Sequence, residues 1–412
     1  MREEKLMLNT IDLFVGCGGL SEGFEQSRKY KMIGAVEWEP SPVKELRNHL
    51  KNRWGINDAE ERVLQFDIQR TEELFNGWED EKFGRSKGLD ALVGSQQLDV
   101  IIGGPPCQAY SVAGRIRDEH GMREDYRNYL FESYLEVVQH YKPKVFVFEN
   151  VPGILSAKPG DGSVKIIDLI QKAFADAGYV VLPNLSNAII DMTEYGVPQN
   201  RKRIIILGVS KAYYGDKAET MVEEFYSSYL PEYKVEKKAT VREAIGDLPK
   251  LKPLDEPISY SGRRLSHEIP VPLINGHISR YHSKRDIDLF RFLEEDIASG
   301  RKEYTNTESL KALYTKLTGK TSNVHKYYVL RWNEPSNLIP AHLFKDGLRH
   351  IHPDPEQART ITVREAARLQ TFPDDYYFNC SQTDAFKMIG NAVPPLFAKK
   401  VAYAVYHLIQ EN

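Results

Sequence analysis

Cysteine is scarce in this chain. Cys17, Cys107 and Cys380 are the only three in 412 residues. They are too few and too scattered for a disulfide framework or a zinc site, so one that matters would matter as a thiol, and no metal is expected. Long apolar runs are also lacking, which argues against a membrane span. The opening MREEKLMLNTIDLF has no apolar segment of the signal-peptide kind, so the expected compartment is a reducing cytoplasm. Charge of one sign is missing too. A net charge of −3 gives no global basic footprint, and any contact with nucleic acid would have to use local patches. There is no internal repeat and no low-complexity tract. What remains is ordinary globular composition, 41% hydrophobic and 27% charged, with length for one large domain or two modest ones.

The first 250 residues alternate short apolar runs with amphipathic stretches. TIDLFVG (10–16), MIGAVEW (32–38), LDVIIGG (98–104), KVFVFENV (144–151) and RIIILGV (203–209) read as strands. SPVKELRNHL (41–50), YLFESYLEVVQHY (129–141) and VKIIDLIQKAFADAG (164–178) read as helices, the last stopped by Gly178. Strands of this kind, separated by helices, predict an α/β fold with a mostly parallel sheet covered on both faces. The rhythm breaks near residue 250. Between Ser259 and Arg331 there are 13 Lys and Arg against 8 Asp and Glu, a mildly basic and irregular stretch that reads as a solvated second lobe. Residues 283–297 have helical spacing, and Thr305 with Glu308 suggests a capping box for a further helix ending near Leu317. Thr362 and Glu365 suggest another in TITVREAARLQTF (360–372). The last segment predicts a helix with Leu396, Val401, Val405 and Leu408 on one face.

Chemistry concentrates at strand ends. DLFVGCGGLSEGF (12–24) is strand, glycine turn and helix start, the place where alternating α/β sheets bind nucleotide-like ligands. Position 21 is serine, so the turn departs from the dinucleotide pattern G-x-G-x-x-G. Glu37 and Trp38 end the second strand, where a carboxylate can hold two ribose hydroxyls and an indole can cover an adenine; a tight turn with an ordinary surface acid is the plainer alternative. In DVIIGGPPCQAYS (99–111), Cys107 follows Gly-Gly-Pro-Pro at a strand end. The prolines stiffen the backbone and aim the thiol. Most cysteines are small buried hydrophobes, but this flank has no core pattern and favours a nucleophile, which needs a setting that lowers the thiol pKa from about 8.5. Glu149 ends VFVFEN and is either a loop cap or a catalytic acid. Arg201 and Arg203, in PQNRKRIIIL, sit at alternate positions and would point the same way.

These residues resemble the signature blocks of the cytosine-5 DNA methyltransferases, in order: DLFVGCGG, EW, FDI (66–68), GGPPCQ, FENV, QNRKR, TVREAARLQTFP and GNAVPP. The resemblance runs from end to end. It implies a Rossmann-like S-adenosylmethionine-dependent sheet in a large domain, 1–250 completed by 385–412, and a small domain, 251–384, with target recognition within about 250–355. It implies S-adenosylmethionine lined by Phe14, Gly16, Gly18 and Leu20, its ribose on Glu37, its adenine by Trp38, Asp67 and Ile68, and the pocket closed by Pro106, Leu130, Asn391 and Val393. Cys107 would be the nucleophile, Glu149 the partner of ring nitrogen 3, and Arg203, helped by Arg201, the contact to the cytosine carbonyl. Residues 111–128 would be a lid over a flipped base. Arg263, Arg264, Arg280, Lys284, Arg285 and Lys326 would be candidates for DNA contact.

The expected partner is double-stranded DNA, met by a monomer without a membrane. The absence of an added regulatory domain suggests a prokaryotic enzyme that protects host DNA alongside a restriction endonuclease cutting the same site. Four rivals fare worse. The tRNA-directed branch carries Cys-Phe-Thr in its recognition region, and residues 250–355 have no cysteine. Amino-methylating enzymes place an aromatic where Cys107 stands. An inactive paralogue would be expected to lose Cys107, Glu149 or the glycine turn, and a nicotinamide dehydrogenase would leave that cluster without a role.

Overall fold

The computed structural model describes residues 7–106, 130–158, 164–323 and 326–412. Two compact units emerge. The first comprises 1–195, 202–236 and 392–412, the second 196–201 and 237–391. These bounds fall at 236 and 392 where the sequence suggested 250 and 385, and they assign the short run 196–201 to the second unit.

The first unit is built on an eight-stranded sheet. In chain order its strands are β1 (Leu8–Leu13), β2 (Tyr30–Glu37), β3 (Val63–Gln65), β6 (Val100–Gly103), β7 (Val145–Asn150), β8 (Tyr179–Val180), β9 (Ile189–Asp191) and β10 (Lys202–Ser210). A separate hairpin, β4 (Trp78–Asp80) with β5 (Gly84–Ser86), was not anticipated from sequence. The sheet order is β3-β2-β1-β6-β7-β10-β8, with β9 beside β10. The first five strands are parallel; β10 runs antiparallel to β7, β8 and β9. This is the expected α/β, mostly parallel sheet. The parallel strands are apolar on both faces because helices cover both. Val100, Ile101, Ile102 and all of Val145–Phe148 are fully buried.

Chain order makes β1 the turning point. Successive strands step from β1 to β2 and β3 on one side, then return to β6 and β7 on the other. The carboxyl ends of β1 and β6 therefore flank the crevice where such sheets bind ligands. Leu13, the last residue of β1, is in register with Gly103, the last of β6.

The helix Gly19–Ser27 follows β1 and packs on Pro395–Glu411, the last helix. A Cβ at Gly23 would lie 2.4 Å from the Ala398 methyl, so glycine permits this close crossing. Tyr30 donates its hydroxyl to the Ala402 carbonyl at 2.8 Å. Val401, Val405 and Leu408 are buried as expected, but Leu396 is only partly buried and Phe397 beside it is fully so.

The second unit corrects the picture of a solvated lobe. It has its own core of Ile287, Phe290, Leu293, Leu310, Leu313, Tyr327, Val329, Ile351 and Ala358. The stretch after 250 that looked irregular holds a hairpin, β11 (Pro253–Tyr260) with β12 (Arg263–His267). The helix expected near 283–297 spans Lys284–Ala298, capped by the Ser283 side chain. The next helix, Thr307–Thr318, is capped by Asn306 instead of Thr305, because the Asn306 side chain accepts from the Ser309 N–H. The capping box of Thr362 and Glu365 is present in full. Glu365 also receives two hydrogen bonds from the fully buried Arg359, at 2.7 and 2.6 Å. Around this pair lie the buried His267, His277 and His352. Among the described residues no helix is long and apolar enough to cross a membrane.

Candidate active site

The turn after β1 is shaped by backbone conformation. Phe14 ends the strand earlier than the sequence suggested, at φ 58°, a region that costs a bulky side chain free energy and that marks ligand-binding turns often enough to notice. Gly16 and Gly18 follow at φ 56° and 79°, and Gly18 starts the helix holding Leu20. A Cβ on Gly19 would come within 2.2 Å of the Val393 carbonyl oxygen, so this backbone approach requires glycine. At Gly16 a Cβ would meet nothing within 4 Å: that side of the turn is open.

Glu37 belongs to the same turn. The Gly16 N–H donates to its Oε2 at 2.8 Å, and the Glu39 N–H donates to Oε1 at 2.8 Å. Burial pushes the Glu37 carboxyl up, while hydrogen bonds from the Glu39, Gly16 and Trp38 backbone pull the other way. Trp38 next to it is 46% exposed. Asp67 and Ile68 follow β3, the neighbour of β2. Ile68 is buried, and Asp67 is fixed by accepting from the Gln69 N–H at 3.1 Å. Sequence reasoning missed Asp12, next to the end of β1. Its carboxylate is buried, accepts from the Ser21 hydroxyl at 2.6 Å, and is pushed up to about 7 by desolvation. The signal was present: an acid inside the strand-forming run IDLF has no place in a core unless it is bonded.

β6 leads into Gly103, Gly104, Pro105 and Pro106. A Cβ on Gly104 would sit 2.7 Å from Oε2 of Glu149, so this glycine lets the turn lie against the end of β7. Asn150 donates its side-chain amide to the Pro105 carbonyl at 3.2 Å and ties the two strand ends together. Arg203, at the start of β10, places Nε 2.9 Å from Oε1 of Glu149, and both side chains are largely buried. β10 pairs with β7 so that Ile205 faces Glu149, which brings the guanidinium alongside. Arg201 stands two residues earlier. It precedes β10, lies with the second unit, is 1% exposed, and donates to the carbonyls of Gly390 at 3.3–3.4 Å and Ile339 at 3.5 Å. The strand begins at Lys202, between the two arginines.

Cys107 and the stretch 111–128 lie outside the described residues. Leu130, buried, opens the helix Leu130–Tyr141. Val393 is buried in the first unit; Asn391 is exposed, the last residue of a second-unit helix.

A profile of C-5 cytosine-specific DNA methylases matches residues 8–407 of this chain. The chain belongs to the C-5 cytosine-specific DNA methylase family. It is a DNA cytosine methyltransferase. The methylase is 34% identical to the Type II methyltransferase M.Bpa9945I of Bacillus paralicheniformis, over 97% of this chain and 98% of that one. It is 29% identical to the Type II methyltransferase M.AgeI of Thalassovita gelatinovora, over 97% and 99%. Among solved structures, a DNA modification methyltransferase encoded within an E. coli prophage aligns at TM-score 0.63 and 24% identity, over 98% of this chain and 99% of that one. That likeness shows the same fold.

In the methylase, the second unit holds all six residues named for DNA contact. Arg280 is held within the unit. Its guanidinium is partly buried, donates to the Leu343 and Phe344 carbonyls at 3.2–3.3 Å and lies over the Phe386 ring. Arg263, Arg264, Lys284 and Arg285 are exposed. Arg264 lies 4.7 Å over the ring of the exposed Tyr281.

Proposed function

We propose that this methylase transfers a methyl group from S-adenosylmethionine to carbon 5 of a cytosine swung out of duplex DNA, through a transient bond between Cys107 and carbon 6. One observation carries the reading. The Glu149–Arg203 pair, 2.9 Å apart and largely buried, lies against Gly104 in the turn that leads to Cys107.

The residues present suit the cofactor. The side of Gly16 where a Cβ would meet nothing leaves room for a ligand against bare backbone. Both Glu37 oxygens are anchored by N–H donors and keep lone pairs for a pair of ribose hydroxyls. The Trp38 ring offers a face to adenine. Phe14, Gly18, Leu20, Asp67, Ile68, Pro106, Leu130, Asn391 and Val393 complete the proposed set. S-adenosylmethionine, when bound, supplies a methyl group attached to a positive sulfur and open to attack.

The chain's own groups make cytosine carbon 5 the attacker. The Cys107 thiolate adds to carbon 6, and the electron pair displaced from the ring double bond makes carbon 5 nucleophilic. Glu149 shares a proton with ring nitrogen 3 and offsets the charge that builds there. Arg203 holds the ring carbonyl oxygen, while Arg201 acts as a positioning residue that secures the backbone before β10. A base, ordered water in this reading, takes the carbon 5 proton; the freed electron pair restores the ring double bond and the cysteine sulfur leaves as thiolate. Carbon 6 is inaccessible in a stacked duplex, which is why the base must leave it. The second unit supplies target recognition, with Arg263 and Arg264 on phosphates or bases. Protection of host DNA beside an endonuclease of the same specificity, by a monomeric enzyme, is the role in keeping with the Type II names of its relatives.

Bisulfite sequencing of plasmid DNA from a methylation-free host expressing the protein tests the reading. Protected cytosines at one short recurring sequence, absent with Cys107→Ala, are expected. Unprotected DNA from cells holding folded protein would overturn it. Glu37→Ala is expected to weaken S-adenosylmethionine binding at least tenfold, about 1.4 kcal/mol, with DNA affinity unchanged in the same calorimetric series. Equal losses for both ligands would remove the ribose role.

A further inference from the structure

The β4–β5 hairpin has no part in the central sheet, and two strands of three residues have little stability alone. Here an aromatic ladder fixes it. Trp78 stacks on Phe66 at 3.8 Å, and Phe83 meets Phe66 edge-on at 5.2 Å. Trp78 Nε1 donates to the Phe83 carbonyl at 3.3 Å. Asp80 accepts from the Lys82 and Phe83 N–H groups at 3.0 and 2.6 Å and pairs with Arg70 at 2.6 Å. Phe66 is the residue before Asp67 and Ile68, so the hairpin is pinned at the end of β3.

Its tip reaches the end of β2. The Phe83 ring stands 5.7 Å from the Trp38 ring, close to perpendicular, and Lys82 Nζ lies 3.9 Å over the indole. Trp38 is nearly half exposed and Phe83 only partly buried, so neither is a core residue. Two rings meeting at a corner, one held in place by a cation on its face, make a wall for a flat heteroaromatic group. We infer that Phe83, with Lys82 orienting Trp38, forms a wall of the subsite for the cofactor's adenine. The inference rests on the adenosine-cofactor reading given above and adds to it residues outside the sequence blocks of that reading.

Phe83→Leu keeps apolar bulk against Phe66 and removes the ring, and Phe83→Tyr restores it. Calorimetry with S-adenosylmethionine and S-adenosylhomocysteine is expected to show about tenfold weaker binding in Phe83→Leu and near wild-type binding in Phe83→Tyr. The Michaelis constant for cofactor should rise in Phe83→Leu while kcat and the Michaelis constant for DNA stay level, a split that a merely structural role would not produce. Circular dichroism confirms the fold of each variant. If Phe83→Leu binds as the wild type does, or if Phe83→Tyr is impaired as much as Phe83→Leu, the inference is overturned. If the wild type itself binds neither compound, the cofactor reading fails and takes the inference with it.

Discussion

Cys107→Ala should abolish methyl transfer, by on the order of 10⁴-fold or more, while S-adenosylmethionine binding survives. Losses of this size follow when the atom that forms the covalent bond is removed, because the remaining groups then stabilise a path that cannot begin. The positions around it sharpen the prediction. Gly104 lies against the Glu149 carboxylate, Asn150 holds the Pro105 carbonyl, and Arg203 pairs with Glu149. None of these contacts involves the thiol, so truncation to alanine should leave them standing. Single-turnover transfer of labelled methyl groups to DNA, with calorimetry of the cofactor alongside, checks both halves. Residual transfer within tenfold of wild type would rule out the nucleophile role.

The second large effect concerns acid. Burial holds several second-unit histidines below their ordinary value of 6.5: His267 and His350 at about 4, His352 at about 3 and His282 at about 2. His277 is lowered as well, by the same cause. Nearby Arg359 adds repulsion for His267, His277, His282 and His352; Arg349 does so for His350. The unfolded chain takes up protons on these side chains below pH 6.5, while the folded unit does not. Their stabilisation is therefore complete above pH 6.5 and is lost as pH falls toward the folded values. Each of the four held at about 4 or lower can cost about 2 kcal/mol between pH 6.5 and 5. For Glu365, burial alone would raise the carboxyl, but Arg359 overrides it and holds it low, which adds to the loss below its ordinary value of 4.5. Glu294 is the opposing case. Burial raises its carboxyl well above 4.5, so its contribution grows on acidification, but it is one group against five. Hydrogen exchange of peptides from 237–391, corrected for intrinsic rates, should show loss of protection at pH 5 relative to pH 7.5. Protection unchanged over that range would contradict the burial of neutral imidazoles.

The central sheet was legible because its strands are nearly all apolar and end in glycine, proline or acid, so both strand and carboxyl edge could be read from composition. The two hairpins were not. β11 and the start of β12 carry Pro253, Pro257, Arg263 and Arg264 and bury no side chain, and the last three residues of β12 are buried in succession, so no alternation marks either strand. In β4–β5 the stabilising contact is a stack onto Phe66, twelve residues before Trp78, which no local pattern encodes. The core of the second unit was hidden for a related reason. Its histidines look solvated as letters, and only tertiary hydrogen bonds, such as His277 with Thr362 at 3.1 Å and Pro249 at 2.8 Å, make them interior residues. Cap positions one residue apart, Thr305 against Asn306, are decided by backbone angles that side-chain chemistry alone does not choose.

The hydroxyl of Tyr30 bonds to a carbonyl 372 positions further along the chain. A ribosome adding 5–20 residues each second would need roughly 20–70 s to make the second partner after the first. During that interval the helix Gly19–Ser27 lacks the surface it packs on, and the turn carrying Gly19 lacks Val393. Every nascent chain therefore passes through a period in which the turn after β1 is unfinished. A premature stop that removes only the closing helix should be as damaging as one far upstream.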